Sequence, residues 1–306
     1  MGSGKLTSLD KEDYRKRLRD ECLASSTVTH YIEGALAVEK LLFEGDRCTD
    51  PRKISGEDVM YLLEIFGSSD YTVGTRKGYM LSLRKWCLTY GNPSVPDWPT
   101  ARFPPDRRPR ADWLTPDQVK ALLSADLTNI QRLAIHLELN LGLRRVEVIR
   151  MRVHDIDFEN RAIRVRGKGP MGDKPRTVPF ARETDRIIGD WLAERDKWIE
   201  YSRFRFPKTF SVPGELVVWT RAGRIYPYSE RGSGFDKRIC RSIRQQVGFR
   251  FSNHTLRRTL GRTLYRSGVP APTIAKILGH ESIEMTLRYI GVDLDDMRTA
   301  LDSLEM

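Results

Sequence analysis

The last fifty residues of the chain hold a set of side chains suited to chemistry on a phosphodiester. His254 and Arg257 lie one helical step apart, His280 follows a leucine-glycine pair, and Tyr289 closes an arginine-tyrosine pair. Attack on a phosphodiester at neutral pH needs a hydroxyl nucleophile, cations for the phosphate oxygens and a group that accepts a proton. Tyrosine, arginine and histidine supply these functions, so the segment predicts phosphate chemistry.

The nucleophile in this set is Tyr289. A phenol with a pKa near 10 is almost fully protonated at neutral pH, so it needs a base or a field of positive charge. His254 and His280 can supply the base, and Arg257 the field. Tyr265 is the competing tyrosine, but the apolar face of its own helix predicts that it packs against neighbouring side chains instead.

A second arginine precedes this segment by more than one hundred residues. Arg144 follows a glycine-leucine pair, and Glu147 lies one helical turn further on. Two planar guanidiniums, from Arg144 and Arg257, could clamp the non-bridging oxygens of one phosphate. Each well-aimed donor stabilises a charged transition state by roughly 3–4 kcal/mol. The alternative is a surface ion pair between Arg144 and Glu147.

Four amphipathic helices are predicted ahead of these motifs, over Asp10–Leu23, Ser26–Phe43, Ser55–Phe66 and Thr75–Tyr90. Lys77, Arg84 and Lys85 share one side of the fourth helix. This basic face could meet a DNA backbone, and a solvated outer face is the alternative.

A proline-rich segment over Asn92–Asp112 interrupts the helical pattern and carries Arg107, Arg108 and Arg110. Prolines extend a chain and keep it out of helices and sheets, so the segment predicts a basic linker. The predicted division is a helical DNA-binding domain over 1–100, a linker over 101–112 and a catalytic domain over 113–306.

The second domain opens on a helix-start signal at Thr115, with a proline next and a capping-box glutamine at Gln118. Further helices are predicted over Ile130–Asn140, from about Leu143, and over Glu183–Tyr201, Phe235–Val247, His254–Arg266 and Thr273–Leu278. Two strands are predicted around Ile163–Val165 and Arg176–Phe180, and a single strand over Glu215–Thr220.

Charge and composition favour a protein that binds a polyanion. The chain has 306 residues and a net charge of +11, and residues 1–100 carry 14 Lys and Arg against 15 Asp and Glu. The whole positive excess therefore lies in residues 101–306, which favours nucleic acid as the partner, although a basic surface kept for solubility is the alternative. The four cysteines are scattered, and no apolar run suits a membrane span or a signal peptide. We expect a soluble cytoplasmic protein with reduced thiols and no metal site.

The motifs, in their order and spacing, resemble the tyrosine recombinase (phage integrase) family over nearly the whole chain. In this chain, Gly142-Leu143-Arg144 with Glu147 resembles the first arginine box of that family. Gly167-Lys168-Gly169 resembles its hairpin lysine. Its second box resembles His254-x-x-Arg257, Leu278-Gly279-His280 and Arg288-Tyr289, with nine positions from His280 to Tyr289.

The resemblance implies a mainly α fold with a small antiparallel β-sheet, arranged as a two-domain clamp around duplex DNA. It implies a site-specific recombinase in which Tyr289 forms a 3′-phosphotyrosyl link, strands exchange through a Holliday junction, four protomers assemble, and no cofactor is needed. Arg144, Lys168, His254, Arg257, His280 and Tyr289 would be the catalytic residues. Because the family has both Arg144 and Glu147, the resemblance also implies that Glu147 orients Arg144.

The chain departs from the family pattern at two places. The turn after Lys168 is longer than usual and contains Lys174, so either lysine could protonate the leaving 5′ oxygen, with Lys168 favoured. Arg258 stands where the family often has histidine, and would add positive charge near the phosphate. The predicted DNA contacts are Lys77, Arg84, Arg107, Arg108, Arg110, Lys174, Arg176 and Arg258.

Two questions stay open at this point. An amphipathic helix after Tyr289, with Leu294, Met297, Leu301 and Leu304 in helical register, could dock on a neighbouring subunit or on its own domain. A type IB topoisomerase would use similar residues to relax DNA, and a non-catalytic DNA-binding protein would use only the basic helices.

Overall fold

A computed structural model describes residues 10–95, 112–167, 175–230, 234–291 and 294–302. The chain divides into two compact units, Met1–Arg108 and Pro109–Met306, and this division falls inside the segment predicted as a linker. Helices dominate both units and the β structure is confined to short antiparallel pairs in the second, which confirms the predicted fold class.

The first unit consists of the four predicted helices, α1 (Lys11–Asp20), α2 (Ser25–Glu44), α3 (Gly56–Ser68) and α4 (Val73–Thr89). Side chains cap three of the helix starts: Asp10 accepts from the first turn of α1, Ser55 forms a capping box with Asp58 on α3, and Thr72 accepts from Thr75 on α4. Helix α2 packs along α4, and the centre of the unit is apolar, with Leu83 and Trp86 fully buried.

The described part of the second unit contains longer and shorter helices around two small sheets. Its helices are α5 (Pro116–Leu123), α6 (Asn129–Leu139), α7 (Arg145–Arg150), α8 (Arg182–Arg205), α9 (Gly234–Val247), α10 (Asn253–Arg266), α11 (Ala271–Leu278), α12 (Ile283–Ile290) and α13 (Leu294–Asp302). The capping box of Thr115 and Gln118 forms at the start of α5 as predicted.

Helix α6 is the scaffold of this unit. A capping box of Thr128 and Gln131 starts it, and the side chains from Ile130 to Leu139 are buried except for the partly exposed Arg132. Helices α7, α8, α9 and α10 all pack against it. A helix that is hydrophobic on every side is buried on every side. Helix α6 is therefore fixed in place, and the segments that follow it start from a fixed position.

The sheets are short. Strands β1 (Ile156–Asp157), β2 (Ala162–Val165) and β3 (Arg176–Pro179) form one antiparallel sheet, in which the buried Ile163 and Val178 face each other.

The strand predicted over Glu215–Thr220 is corrected by the structure. Strand β4 (Val218–Arg221) begins later, and a second strand that was not predicted, β5 (Arg224–Pro227), pairs with it. Ala222 and Gly223 join the two strands and both have positive φ, 49° and 78°. Such a two-residue turn suits the twist of a hairpin. It was not predicted because the usual sequence signal is asparagine or aspartate before glycine, and this turn has alanine there.

A small apolar cluster lies apart from the main core of this unit. Ile274, Leu278 and Ile290 are fully buried in it, and Tyr265 and Tyr289 pack against them. We call this the α10–α12 cluster, because its members come from α10, α11 and α12 and the residues next to them. The expected packing of Tyr265 is confirmed.

Arg262 of α10 ties the chain around this cluster together. Its guanidinium donates to the backbone oxygen of Gly291 at the end of α12 (3.2 Å) and pairs with Asp296 of α13. The same guanidinium lies 4.7 Å from the centre of the Trp113 ring. Arg262 is 3% exposed. No described helix is long and apolar enough to cross a membrane.

Candidate active site

Glu147 is the centre of an arginine cluster. The glutamate is 2% exposed and accepts four hydrogen bonds from two arginines. Arg144 donates its backbone N–H (2.7 Å) and its Nη1 (2.8 Å), and Arg176 donates Nη1 and Nη2 in a bidentate pair (2.8 and 2.9 Å). Arg257 stands 3.9 Å from the same carboxylate. The expectation that Glu147 orients Arg144 therefore has a geometric basis.

The charge of Glu147 is stabilised by its partners. Burial by itself would raise the pKa of this carboxyl, but the hydrogen bonds and charge of Arg176, followed by those of Arg144, outweigh burial and hold the pKa below its usual value. Glu147 is thus ionised at neutral pH and fixes the directions of the guanidiniums.

Arg257 is buried more deeply than an arginine that binds phosphate at the protein surface would be. It is 1% exposed, and its guanidinium donates to the backbone oxygens of Gly142 and Leu278. Burial and the nearby charge of Arg144 lower the pKa of Arg257 to about 10, so it keeps its charge at neutral pH. These contacts hold the guanidinium rigidly against the start of α7 and the end of α11.

Two glycines bring the backbone close to the arginines. Gly142 has φ +63°, and a Cβ there would lie 2.6 Å from Leu278 and 2.9 Å from Leu260. Gly279 has φ +61°, caps α11 as expected, and gives its carbonyl oxygen to Arg144 Nη2 at 2.9 Å. Only glycine adopts both the left-handed backbone and the close approach without strain.

Tyr289 faces this cluster. Its hydroxyl is buried and completes no hydrogen bond of good geometry with a described residue. The guanidinium carbons of Arg258 and Arg257 lie 5.2 and 5.9 Å from the centre of its ring. Burial raises the pKa of Tyr289 above its usual value, while Arg257, Arg258 and Arg144 offset part of that rise.

His280 stands beside Tyr289, with ring centres 4.9 Å apart in an edge-on arrangement. Its Nδ1 lies 2.9 Å from Thr286 Oγ1, and that hydroxyl donates to the backbone oxygen of Ser282 (3.4 Å). A hydroxyl has one proton, so its donation to Ser282 is consistent with the His280 tautomer that carries its proton on Nδ1 and has Nε2 as an acceptor. Burial, followed by the charges of Arg257 and Arg144, lowers the pKa of His280 to about 4.

His254 lies on α10, one turn before Arg257, and part of it reaches solvent. Partial burial first, and then the charges of Arg258 and Arg257, lower the pKa of His254. Both histidines that the sequence singles out are therefore held neutral near pH 7, as proton acceptors need to be.

A groove of about 680 Å³ opens beside the arginine cluster. Arg144, Arg176 and His280 line it, together with Gly167 and Pro175 at the ends of β2 and β3. These two residues flank the segment that contains Lys168 and Lys174, and both lysines lie outside the described residues.

The predicted DNA contacts have different surroundings. Lys77 and Arg84 are half-buried on α4, Lys85 pairs with Glu21, and the exposed positions of that helix include Leu81. Arg107, Arg108 and Arg110 lie outside the described residues.

Arg176 is drawn into the site instead of facing outward. Its two terminal nitrogens donate to Glu147 and its Nε donates to the backbone oxygen of Ile277 (3.1 Å). Its role as an orienting partner of Glu147 was not predicted, because no local sequence signal joins residues 29 positions apart. Thr286 was also missed, although its position three residues before Tyr289, on one helix face, could have indicated it.

Among the described residues, no three histidine, cysteine, aspartate or glutamate side chains come together in a group that could hold a metal ion. The cationic side of the site is formed by arginines, and it is suited to bind an anion.

The second unit thus combines a mainly helical fold with a tyrosine, two neutral histidines and an arginine cluster around one buried glutamate. A family model described as the phage integrase family matches residues 112–295, which cover almost all of this unit. The chain belongs to the phage integrase family of tyrosine recombinases.

Individual relatives agree with this assignment. Tyrosine recombinase XerA of Saccharolobus solfataricus is 26% identical over 261 residues, which are 81% of this chain and 78% of that protein. Tyrosine recombinase XerC of Bifidobacterium longum is 31% identical over 175 residues, 55% of this chain, and the match spans only 45% of the length of that relative.

Solved structures share the fold. The XerH site-specific recombinase bound to a palindromic difH substrate in a post-cleavage complex matches with a TM-score of 0.68 and 17% identity, over 97% of this chain and 85% of that one. A λ integrase dimer bound to a core site matches with a TM-score of 0.64 and 18% identity, over 91% and 93% of the two chains.

Proposed function

We propose that this chain is a site-specific DNA recombinase that cleaves and rejoins DNA through Tyr289. The observation that carries the proposal is the position of the Tyr289 ring between an imidazole at 4.9 Å and two guanidiniums within 6 Å. Membership of the phage integrase family supports it, as do the relatives that are named tyrosine recombinases.

The scissile phosphate would bind where the groove meets the arginine cluster. Arg144 leaves 24% of its side chain exposed there, and Arg257 has further N–H donors beyond the two that hold backbone oxygens. Because Glu147 holds the guanidinium of Arg144, and the backbone oxygens of Gly142 and Leu278 hold that of Arg257, little reorganisation is needed as charge builds on the phosphate oxygens.

Proton transfer would start at the Tyr289 hydroxyl. His280 Nε2 accepts this proton, because its Nδ1–H is held by Thr286 and its depressed pKa keeps the ring neutral. His254 is the second candidate acceptor, with a pKa lowered by burial and by the arginines.

The covalent step conserves the energy of the phosphodiester. The phenol oxygen forms a bond to phosphorus, the bond between phosphorus and the 5′ oxygen breaks, and a 3′-phosphotyrosyl link results. A lysine of the segment between Gly167 and Pro175, Lys168 or Lys174, protonates the departing 5′ oxygen. Attack by a 5′ hydroxyl of a partner strand reverses these changes and releases Tyr289.

Strand exchange would take place between paired DNA sites. Two rounds of cleavage and rejoining pass through a Holliday junction held by four protomers, and neither a nucleotide cofactor nor a metal ion is required. The first unit would hold duplex DNA together with the second, and the protein would act in the cytoplasm.

A nicked duplex that loses its 5′ fragment after cleavage tests the proposal, because it traps the covalent complex. Wild-type protein should form a protein–DNA adduct that survives denaturing electrophoresis. Tyr289→Phe should form none while binding the same duplex with similar affinity. Tyr265→Phe is the matched control, since that tyrosine lies in the α10–α12 cluster, and it should retain the adduct.

Two results would contradict the proposal. An adduct that persists in Tyr289→Phe would assign the nucleophile elsewhere. Relaxation of supercoiled DNA without strand exchange between two sites would show a topoisomerase activity instead.

A further inference from the structure

Arg258 follows Arg257 directly on α10, but its surroundings are different. Arg257 is buried and donates to two backbone oxygens, whereas Arg258 is half-buried. The Nε of Arg258 is buried and has no hydrogen-bond partner in the described part of the chain. Its guanidinium carbon lies 5.2 Å from the centre of the Tyr289 ring, nearer than that of Arg257 at 5.9 Å. Arg258 is thus placed over the ring of the proposed nucleophile.

A cation in this position favours the ionised form of a tyrosine. The face of an aromatic ring carries negative charge density and attracts a guanidinium. When the phenol loses its proton, part of the negative charge spreads into the ring, so the attraction becomes stronger. Burial strengthens it again, since less water screens the two charges.

We propose that Arg258 acts on the nucleophile: its guanidinium stabilises the phenolate of Tyr289 during DNA cleavage and when the phenolate leaves during rejoining. This inference rests on the proposed function. The sequence favoured a contact between Arg258 and the DNA backbone, and that contact is the competing role. Arg258 itself exchanges no proton, because the proton of Tyr289 passes to an imidazole.

Other charged and titratable groups face Tyr289, and each must be considered in a pH experiment. Arg257 comes from α10, Arg144 from the start of α7, and His280 from the turn after α11. Arg257, with its pKa of about 10, stays charged through the neutral range, and His280, with its pKa of about 4, is neutral there. Arg258 also lowers the pKa of His254, so a change in the acid limb of the profile would report on that histidine. Ionisation of Tyr289 and loss of the proton from Arg257, whose pKa is about 10, both shape the alkaline limb, and Arg257 is the same in every variant.

The experiment is single-turnover cleavage of the nicked duplex between pH 6 and pH 10, with Arg258→Met and Arg258→Lys beside the wild type. Arg258→Met should cleave about tenfold more slowly near pH 7.5, and its alkaline limb should move up by about one pH unit, since one pKa unit corresponds to a factor of ten. Because burial raises the pKa of Tyr289 above its usual value near 10, the deficit should persist up to pH 10, and Arg258→Lys should recover part of the rate because it keeps a charge.

Binding measurements separate the two roles of Arg258. The dissociation constant for the duplex should change less than threefold in Arg258→Met, and the dependence of binding on salt should stay the same. Arg241→Met is the matched control: it removes an exposed arginine from α9 and should leave the pH profile unchanged.

Three results would overturn the inference. One is a pH profile of Arg258→Met that coincides with the wild type while its salt slope falls by about one, as expected for a lost phosphate contact. The second is a variant with unchanged rate and binding. If Arg258→Met does not fold, as judged by circular dichroism, Arg258→Gln takes its place, with the same expected loss of rate and the same results counting against the inference. Failure of the wild type to form any adduct is the third, and it would overturn the proposed function as well.

Discussion

Replacing Glu147 with glutamine should destabilise the second unit strongly. Each oxygen of this buried carboxylate accepts two of the four hydrogen bonds from Arg144 and Arg176. Whichever way the glutamine amide is turned, its NH2 group faces two donors, and the arginines lose their compensating charge. Breaking a buried ion pair by removing one partner costs about 3–5 kcal/mol. For a unit of this size that corresponds to a fall in Tm of about 6–20 °C.

Thermal unfolding followed by circular dichroism measures this effect, with Glu230→Gln as the matched control. Glu230 also accepts two hydrogen bonds from one arginine, Arg150 (2.5 and 2.6 Å), but 43% of its side chain is exposed. Exposed pairs contribute about 1 kcal/mol or less, so the control should melt within about 4 °C of the wild type. If Glu147→Gln melts as close to the wild type as the control does, the cluster does not depend on the charge of Glu147.

The difference in Tm between the wild type and Glu147→Gln should also depend on pH. The pKa of Glu147 is lower in the folded protein than in the unfolded chain, where it is about 4.3. Its contribution to stability is therefore fully present above about pH 4.3 and is lost as the pH falls through the folded value. The difference in Tm between the wild type and Glu147→Gln should be constant at neutral pH and should shrink in acid. A difference that stays constant into strong acid would contradict the depressed pKa.

Two further substitutions test how the backbone and the last helices hold the site. Gly142→Ala forces a side chain into a left-handed residue with atoms at 2.6 and 2.9 Å, so it should lower stability by more than Gly91→Ala, which has φ +80° but no atom within 4 Å. Similar melting temperatures for these two variants would show that the close contact has no energetic effect. Arg262→Met removes the hydrogen bond at the end of α12 and the closer of the two arginines that pair with Asp296 of α13, and by the free energy of a broken buried pair it should lose about 3–5 kcal/mol in chemical denaturation. Arg288→Met removes a surface pair and should lose less than about 1 kcal/mol; equal losses in the two variants would contradict the reasoning.

The sequence predicts the local features of this protein well. The capping box at Thr115, the left-handed glycine before His280 and the four helices of the first unit all depend on residues within a few positions of one another. The spacing of nine from His280 to Tyr289 also places both rings beside each other, because a short loop and two helical turns join them.

Long-range contacts could not be predicted in the same way. A charged side chain is usually exposed, so nothing in the sequence indicates that Arg257 is buried against two backbone oxygens. The pairing of Arg176 with Glu147 depends on how β3 lies beside α7, and residue types alone do not specify that arrangement. Hairpin strand β5 was missed since Ala222 is an unusual residue for positive φ.

The α10–α12 cluster has a consequence for motion. Only three fully buried apolar side chains anchor the helix of Tyr289 in the described structure, whereas the main core of the unit includes Leu133, Leu137 and Trp191 among many others. Segments with few buried contacts open locally at a free energy below that of global unfolding. Amide hydrogens of α12 should therefore exchange with deuterium much faster than those of α6, and equal rates would contradict this. Tyr289 can then leave its buried position while the arginines stay assembled, so in the proposed reaction the opening of one short helix would set the timing of cleavage.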